Sequence, residues 1–167
     1  MENVFYFNQK DFTGRILDRS LHAKLCLTMC IDFIYNKRQN LSCDFLFFSK
    51  AYQFSSRQRA FAYGAQCGKI KDAVLAPNGK INSVLKAFIP APLTRSKTLP
   101  YLLRKGDYLI TVLNIDDTGH TIALHNQEDP ELFDPNKGLF TLEYLWELTD
   151  FINQQYHNKG VYIYKCL

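Results

Sequence analysis

Apolar and polar positions follow one period before Gly106 and another after it. From Leu21 to Tyr35 the run LHAKLCLTMCIDFIY is apolar on nearly every side and holds neither Gly nor Pro. That pattern predicts a helix buried all round at the centre of a domain, not an amphipathic surface helix. Ser20 and Asp18 are both candidates to cap its start, and Asn36-Lys37-Arg38-Gln39-Asn40 is its polar exit. Ser55 to Leu75 has helical apolar spacing up to the turn signal Pro77-Asn78-Gly79, with Gly64 and Gly68 dividing it into two pieces. Asn82 to Phe88 predicts another short helix. Pro90, Pro92 and Pro100 mark turns around a helical stretch near Leu99 to Arg104.

Beyond Gly106 the period shortens to two. DYLITVLNI and HTIALHN, joined by Asp116-Asp117-Thr118-Gly119, predict an antiparallel hairpin. LFDP reads as a third short strand and VYIYKCL as a terminal one. Between them Thr141 to His157 predicts an amphipathic helix with Leu142, Leu145, Trp146, Leu148 and Ile152 facing inward. Helices first and a small antiparallel sheet afterwards make an α+β domain. No internal repeat or low-complexity tract interrupts it.

Composition narrows the class. At 167 residues, 47% apolar and 14% aromatic, the chain suits one substantial core, so residues 1–167 are expected to form a single unit. No window approaches the roughly 18 to 20 apolar residues of a membrane span. MENVFYFNQKDFTGR lacks a secretory pattern, so a soluble chain that bypasses the general secretory route is expected. Five scattered cysteines, an odd number, argue against a disulfide framework and for a reducing compartment. A net charge of +4 without a long basic block sets nucleic acid aside as a partner.

The candidate chemistry lies mostly in the last third. His120, Ile122 and Leu124 share one strand face, whereas Thr121, Ala123 and His125 share the other, so His120 and His125 serve different sites. A general base needs one ring nitrogen toward a nucleophile and the other held by an acceptor. Asp134 is the best acceptor, since it ends a short strand and precedes Pro135. Asp116, Asp117 and Asp129 read as turn residues. A thiolate is favoured at a helix start and beside an imidazolium, which suits Cys26 better than Cys30, although the two share a helical face and Cys30 remains a rival. Cys43, Cys67 and Cys166 read as small buried hydrophobes.

Two other motifs carry no chemistry. His22, Cys26 and Cys30 fall at i, i+4 and i+8, and the outer two stand about 12 Å apart along a helix, which rules out one tetrahedral metal site. Gly64-Ala65-Gln66-Cys67-Gly68 lacks the strand before it and the Lys-Ser/Thr after it that a phosphate loop requires.

Gly119-His120-Thr121-Ile122-Ala123 followed by Leu132-Phe133-Asp134-Pro135-Asn136-Lys137-Gly138, behind a buried cysteine-bearing helix, resembles the YopT/AvrPphB family of papain-like cysteine peptidases. The likeness is specific over residues 119 to 140 and looser over the helical half. It implies a papain-like fold, a buried nucleophile helix packed on a small antiparallel sheet. It also implies a peptidase in which Cys26 attacks a peptide carbonyl, His120 moves the proton, Asp134 orients His120, and water resolves a thioester. No cofactor or metal is implied. The implied partner is a protein substrate, and the implied setting is a bacterial effector passed into a host cell by a specialised secretion system. Only 25 residues precede Cys26, so little propeptide is expected.

The chain departs from the family at Lys24-Leu25, where a small residue usually precedes the nucleophile, and upstream of it, where a side-chain amide usually completes the oxyanion hole. Ser20 and the backbone N–H of Cys26 are the candidate donors. Loss of one such donor costs about 100-fold or more in rate. Two alternatives therefore stand beside the peptidase: a deamidase or acyltransferase using the same three groups, and a papain-like binding module whose site has decayed.

Overall fold

In the computed structural model, residues 1–6, 8, 26–40 and 83–167 are described. They form a seven-stranded antiparallel sheet and three helices. The order along the chain is β1 (Glu2–Tyr6), α1 (Cys26–Arg38), β2 (Ser83–Pro90), α2 (Arg95–Leu102), β3 (Gly106–Asn114), β4 (Gly119–Asn126), β5 (Glu131–Asp134), β6 (Gly138–Thr141), α3 (Glu147–Gln155) and β7 (Asn158–Cys166). Across the sheet the order is β1-β6-β5-β4-β3-β7-β2. The chain is thus α+β, as its pattern predicts, with a sheet larger than expected.

Strand alternation sends the two faces of the sheet to different partners. Tyr108, Ile110 and Val112 of β3, Ile122 and Leu124 of β4, Leu132 of β5, and Val161 and Ile163 of β7 form one core with Leu102 of α2 and Leu148, Phe151 and Ile152 of α3. Phe133 points to the opposite face, where its ring stacks on Phe33 of α1 at 5.2 Å. Met29, Cys30, Ile31, Phe33 and Ile34 are all buried, in keeping with a helix apolar on nearly every side.

Four sequence expectations are corrected. The helix over Asn82 to Phe88 is instead strand β2, paired antiparallel to β7 from Ser83 opposite Cys166 to Pro90 opposite Gly160. Its apolar residues are ambiguous in so short a run, and the open edge of β7 decides for the strand. The helix over Thr141 to His157 starts later, at Glu147. Thr141 closes β6, which is held between β5 and β1, and the Glu147 carboxylate accepts the N–H groups of Glu143 at 2.8 Å and Tyr144 at 3.1 Å, bracing the intervening turn. Trp146 is half-buried beneath the Arg95 guanidinium and does not join the core. The stretch near Leu99 to Arg104 is helical from Arg95 to Leu102, with Pro100 inside.

The β3–β4 hairpin forms as read, with Asp117 at positive φ in its turn. Asp18, Ser20, His22, Cys43, Cys67, the helix expected over 55–75 and the part of the first helix before Cys26 lie outside the described residues.

Candidate active site

A gap in strand pairing creates the site. β3 pairs with β4 along its length from Gly119, but β5 joins β4 only over Ala123, Leu124 and His125. The β4 edge beside His120 and Thr121 is therefore left to the start of α1. There the Cys30 thiol donates to the Thr121 carbonyl at 3.3 Å, while the Thr121 N–H is directed at the Cys26 sulfur. One peptide edge thus grips two thiols one helical turn apart.

His120 stands on the α3 side of β4, opposite Val112, and is 5% exposed. Its Nε2 lies 2.8 Å from Asp134 Oδ1. With Nε2 committed to that carboxylate, the hydrogen bond to the Cys26 thiol falls to Nδ1. Asp134 is fully buried and its oxygens are divided. Oδ1 also accepts the Asn136 N–H at 2.8 Å, and Oδ2 accepts the Tyr156 hydroxyl at 2.5 Å. The Tyr156 ring stacks on His120 at 5.1 Å, and Asn136 Nδ2 lies 3.4 Å from His120 Nδ1.

The electrostatics separate the two cysteines. Burial works against a charge on Cys26, but the hydrogen bond and charge of His120, with the N–H groups of Thr121 and Leu27, bring its thiol below the ordinary value. Among the described residues it is the first of α1. Burial likewise opposes a charged His120, yet Asp134 and Cys26 outweigh it and raise the imidazole to about 10. Cys30 is pushed well above the ordinary thiol value by burial and by the nearby Cys26 and Asp134. Its thiol is a donor to the Thr121 carbonyl. Burial also pushes Cys166 up to about 12, so it too stays a thiol.

Of the residues singled out in the sequence, Cys26, His120 and Asp134 are brought together. His125 is not. It lies at the other end of β4, with Nδ1 at 2.6 Å from Asp107. Asp116 and Asp117 occupy the hairpin turn and Asp129 the next one. Ser20 is among the residues not described, so among the described residues the backbone N–H of Cys26 is the oxyanion donor named from the sequence. Sequence reading missed Asn136, Thr121 and Tyr156. Asn136 was already inside the LFDPNKG motif, whereas Tyr156 gave no signal, being 22 residues from the aspartate it meets.

The fold that carries this cluster has a solved counterpart. The chain is similar in fold to the Pseudomonas avirulence protein AvrPphB. The crystal structure of that protein superposes with a TM-score of 0.57 at 16% identity, covering 88% of this chain and 93% of AvrPphB. The family resemblance carried by GHTIA and LFDPNKG is thus accompanied by a shared fold. No protein-family model and no curated protein matches the chain.

Proposed function

We propose that this chain is a thiol peptidase in which residues 1–167 serve as one papain-like catalytic domain acting on a partner protein. The observation that carries the reading is the relay itself: a lowered thiol at a helix start, hydrogen-bonded to an imidazole whose second nitrogen is held by a buried carboxylate. The Cys26 thiolate attacks the carbonyl carbon of a peptide bond, and the carbonyl oxygen takes the negative charge. The His120 imidazolium then gives its Nδ1 proton to the leaving amine, leaving a thioester on Cys26. Neutral His120 next takes a proton from water, whose oxygen attacks the thioester, and the collapse releases the acid and restores the Cys26 thiolate beside the His120 imidazolium. Asp134 holds the Nε2 proton throughout and fixes the tautomer.

The backbone N–H of Cys26 is the proposed first donor to the oxyanion. Ser20 is the proposed second donor. The fold shared with an avirulence protein supports a bacterial effector role with a host protein as substrate. No helix among the described residues is long and apolar enough to cross a membrane.

The test is intact-mass labelling by a broad cysteine-protease electrophile, on wild type, Cys26→Ala and His120→Ala. Fast labelling near neutral pH that is lost in both variants is expected. Slow labelling indifferent to His120 would overturn the reading and favour a decayed binding module. Product mass then separates outcomes, since a deamidase adds about one dalton without cutting its substrate.

A further inference from the structure

We infer that Tyr156 is a positioning residue of the Cys26–His120 pair: its hydroxyl fixes the carboxylate that orients His120, and its ring covers one face of the imidazole. The inference rests on the peptidase reading for the identity of the reacting pair. Tyr156 touches two members of the relay and the neighbouring Asn136. It donates to Asp134 Oδ2 at 2.5 Å, stacks on His120 with planes 27° apart, and hydrogen-bonds the Asn136 side chain. Asp134 is 0% exposed, so the hydroxyl supplies a donor that bulk water does not reach. Burial and the charge of Asp134 push the phenol far above its ordinary value, which keeps it a donor wherever the enzyme works.

The fold holds this tyrosine on a rigid mount. It lies one residue past the end of α3, where its backbone N–H bonds the Ile152 carbonyl at 3.0 Å and its own backbone turns extended. Leu148, Phe151 and Ile152 root that helix in the core. The phenol is thereby aimed at Oδ2 while Oδ1 is left for Nε2 of His120. Two donors on different oxygens fix the carboxylate plane, and a fixed plane fixes the imidazole. Among the described residues the groups facing the His120–Asp134 pair are Cys26, Cys30, Asn136 and Tyr156, and Tyr156 touches both members, so a change there is felt directly by the titrating pair.

Removing the hydroxyl leaves the carboxylate short of a donor, so more of its negative charge acts on His120 and Cys26. In Tyr156→Phe, which keeps the ring, the acid limb of iodoacetamide labelling at Cys26 is expected to move up by about one pH unit. The labelling rate on that limb falls roughly tenfold. Tyr156→Ala, lacking the ring as well, is expected to label more slowly still. In a Cys26→Ala background, titration of the His120 ring by NMR is expected to shift upward in Tyr156→Phe, a readout that needs no reactive thiol. Profiles identical in wild type and Tyr156→Phe, with an unmoved ring titration, would overturn the inference while a His120-dependent wild-type profile leaves the peptidase reading standing. A wild-type profile indifferent to His120 removes both.

Discussion

Strand β4 carries a histidine bound to an aspartate at each end, and each pair lies near a thiol, but only His120 hydrogen-bonds one. Cys26 meets His120, whereas Cys166 stands opposite Asp107 and is raised by burial and by its charge. At the first end His120 bonds Asp134 at 2.8 Å and meets Cys26 at the start of α1. At the other end His125 bonds Asp107 at 2.6 Å, and Asp107 in turn meets Arg38 at the end of the same helix. Arg38 Nε donates to Asp107 at 2.6 Å and Nη1 donates to the Leu167 carbonyl at 2.7 Å. The carboxylate near His125 is therefore already matched by a permanent cation, and a cation at a helix C-terminus is favoured by the dipole. At the His120 end the only cation among the described residues is the imidazolium itself. A histidine–aspartate pair is thus a fastening at one end and the means of ionising a sulfur at the other, and the helix residue it faces makes the difference.

The largest expected contrast is between the two histidines. His120→Ala should lower peptidase turnover by about 100-fold to 10,000-fold, whereas His125→Ala should leave turnover within a few fold, as read by steady-state assay. If both variants fall equally, the division of roles fails. Arg38→Ala should act the other way, destabilising the fold by about 2 kcal/mol in a denaturant melt while leaving Cys26 labelling unchanged. That loss reflects the buried Asp107 carboxylate stripped of its cation.

Acid and alkali should separate the two ends. His120 is raised from 6.5 to about 10, so its contribution to stability is complete below pH 6.5 and is lost as pH climbs toward about 10. Asp107 is held below 3.8, against the pull of burial, by His125 and Arg38, so its contribution is present above pH 3.8 and is lost on further acidification. Thermal melts of His120→Ala should lose the alkaline decline, and melts of Arg38→Ala should lose part of the acid one. The smallest effect belongs to Cys30→Ser, which keeps a donor to the Thr121 carbonyl. It should cost about 1 kcal/mol and leave Cys26 labelling within twofold, whereas abolished labelling would reinstate Cys30 as the nucleophile.

The residues that meet at the first end were legible because each carries its own mark. His120 follows a hairpin turn, Asp134 sits before a proline, and Cys26 lies early in an apolar helix. The β3–β4 pair was legible for the same reason, a turn signal between two alternating runs. What stayed hidden depends on distant partners. Ser83 to Pro90 becomes a strand because β7 offers an edge, and Gly138 to Thr141 because β5 and β1 enclose it. Tyr156 was read as part of a helix that ends at Gln155, and its contact with Asp134 follows from how α3 returns across the sheet. Periodicity describes one segment at a time and carries no record of such crossings.

The grip of Thr121 on both cysteines belongs to its main chain, through the N–H toward Cys26 and the carbonyl toward Cys30. Substituting its side chain, even to alanine, leaves that grip in place, so an alanine scan is blind to it. Proline is the exception, because it deletes the N–H. A backbone ester at this position, with oxygen in place of the nitrogen, would remove the donor and preserve the side chain. Position 121 can therefore tolerate many residues and still support the sulfur of Cys26, with nothing in the choice of amino acid to announce it.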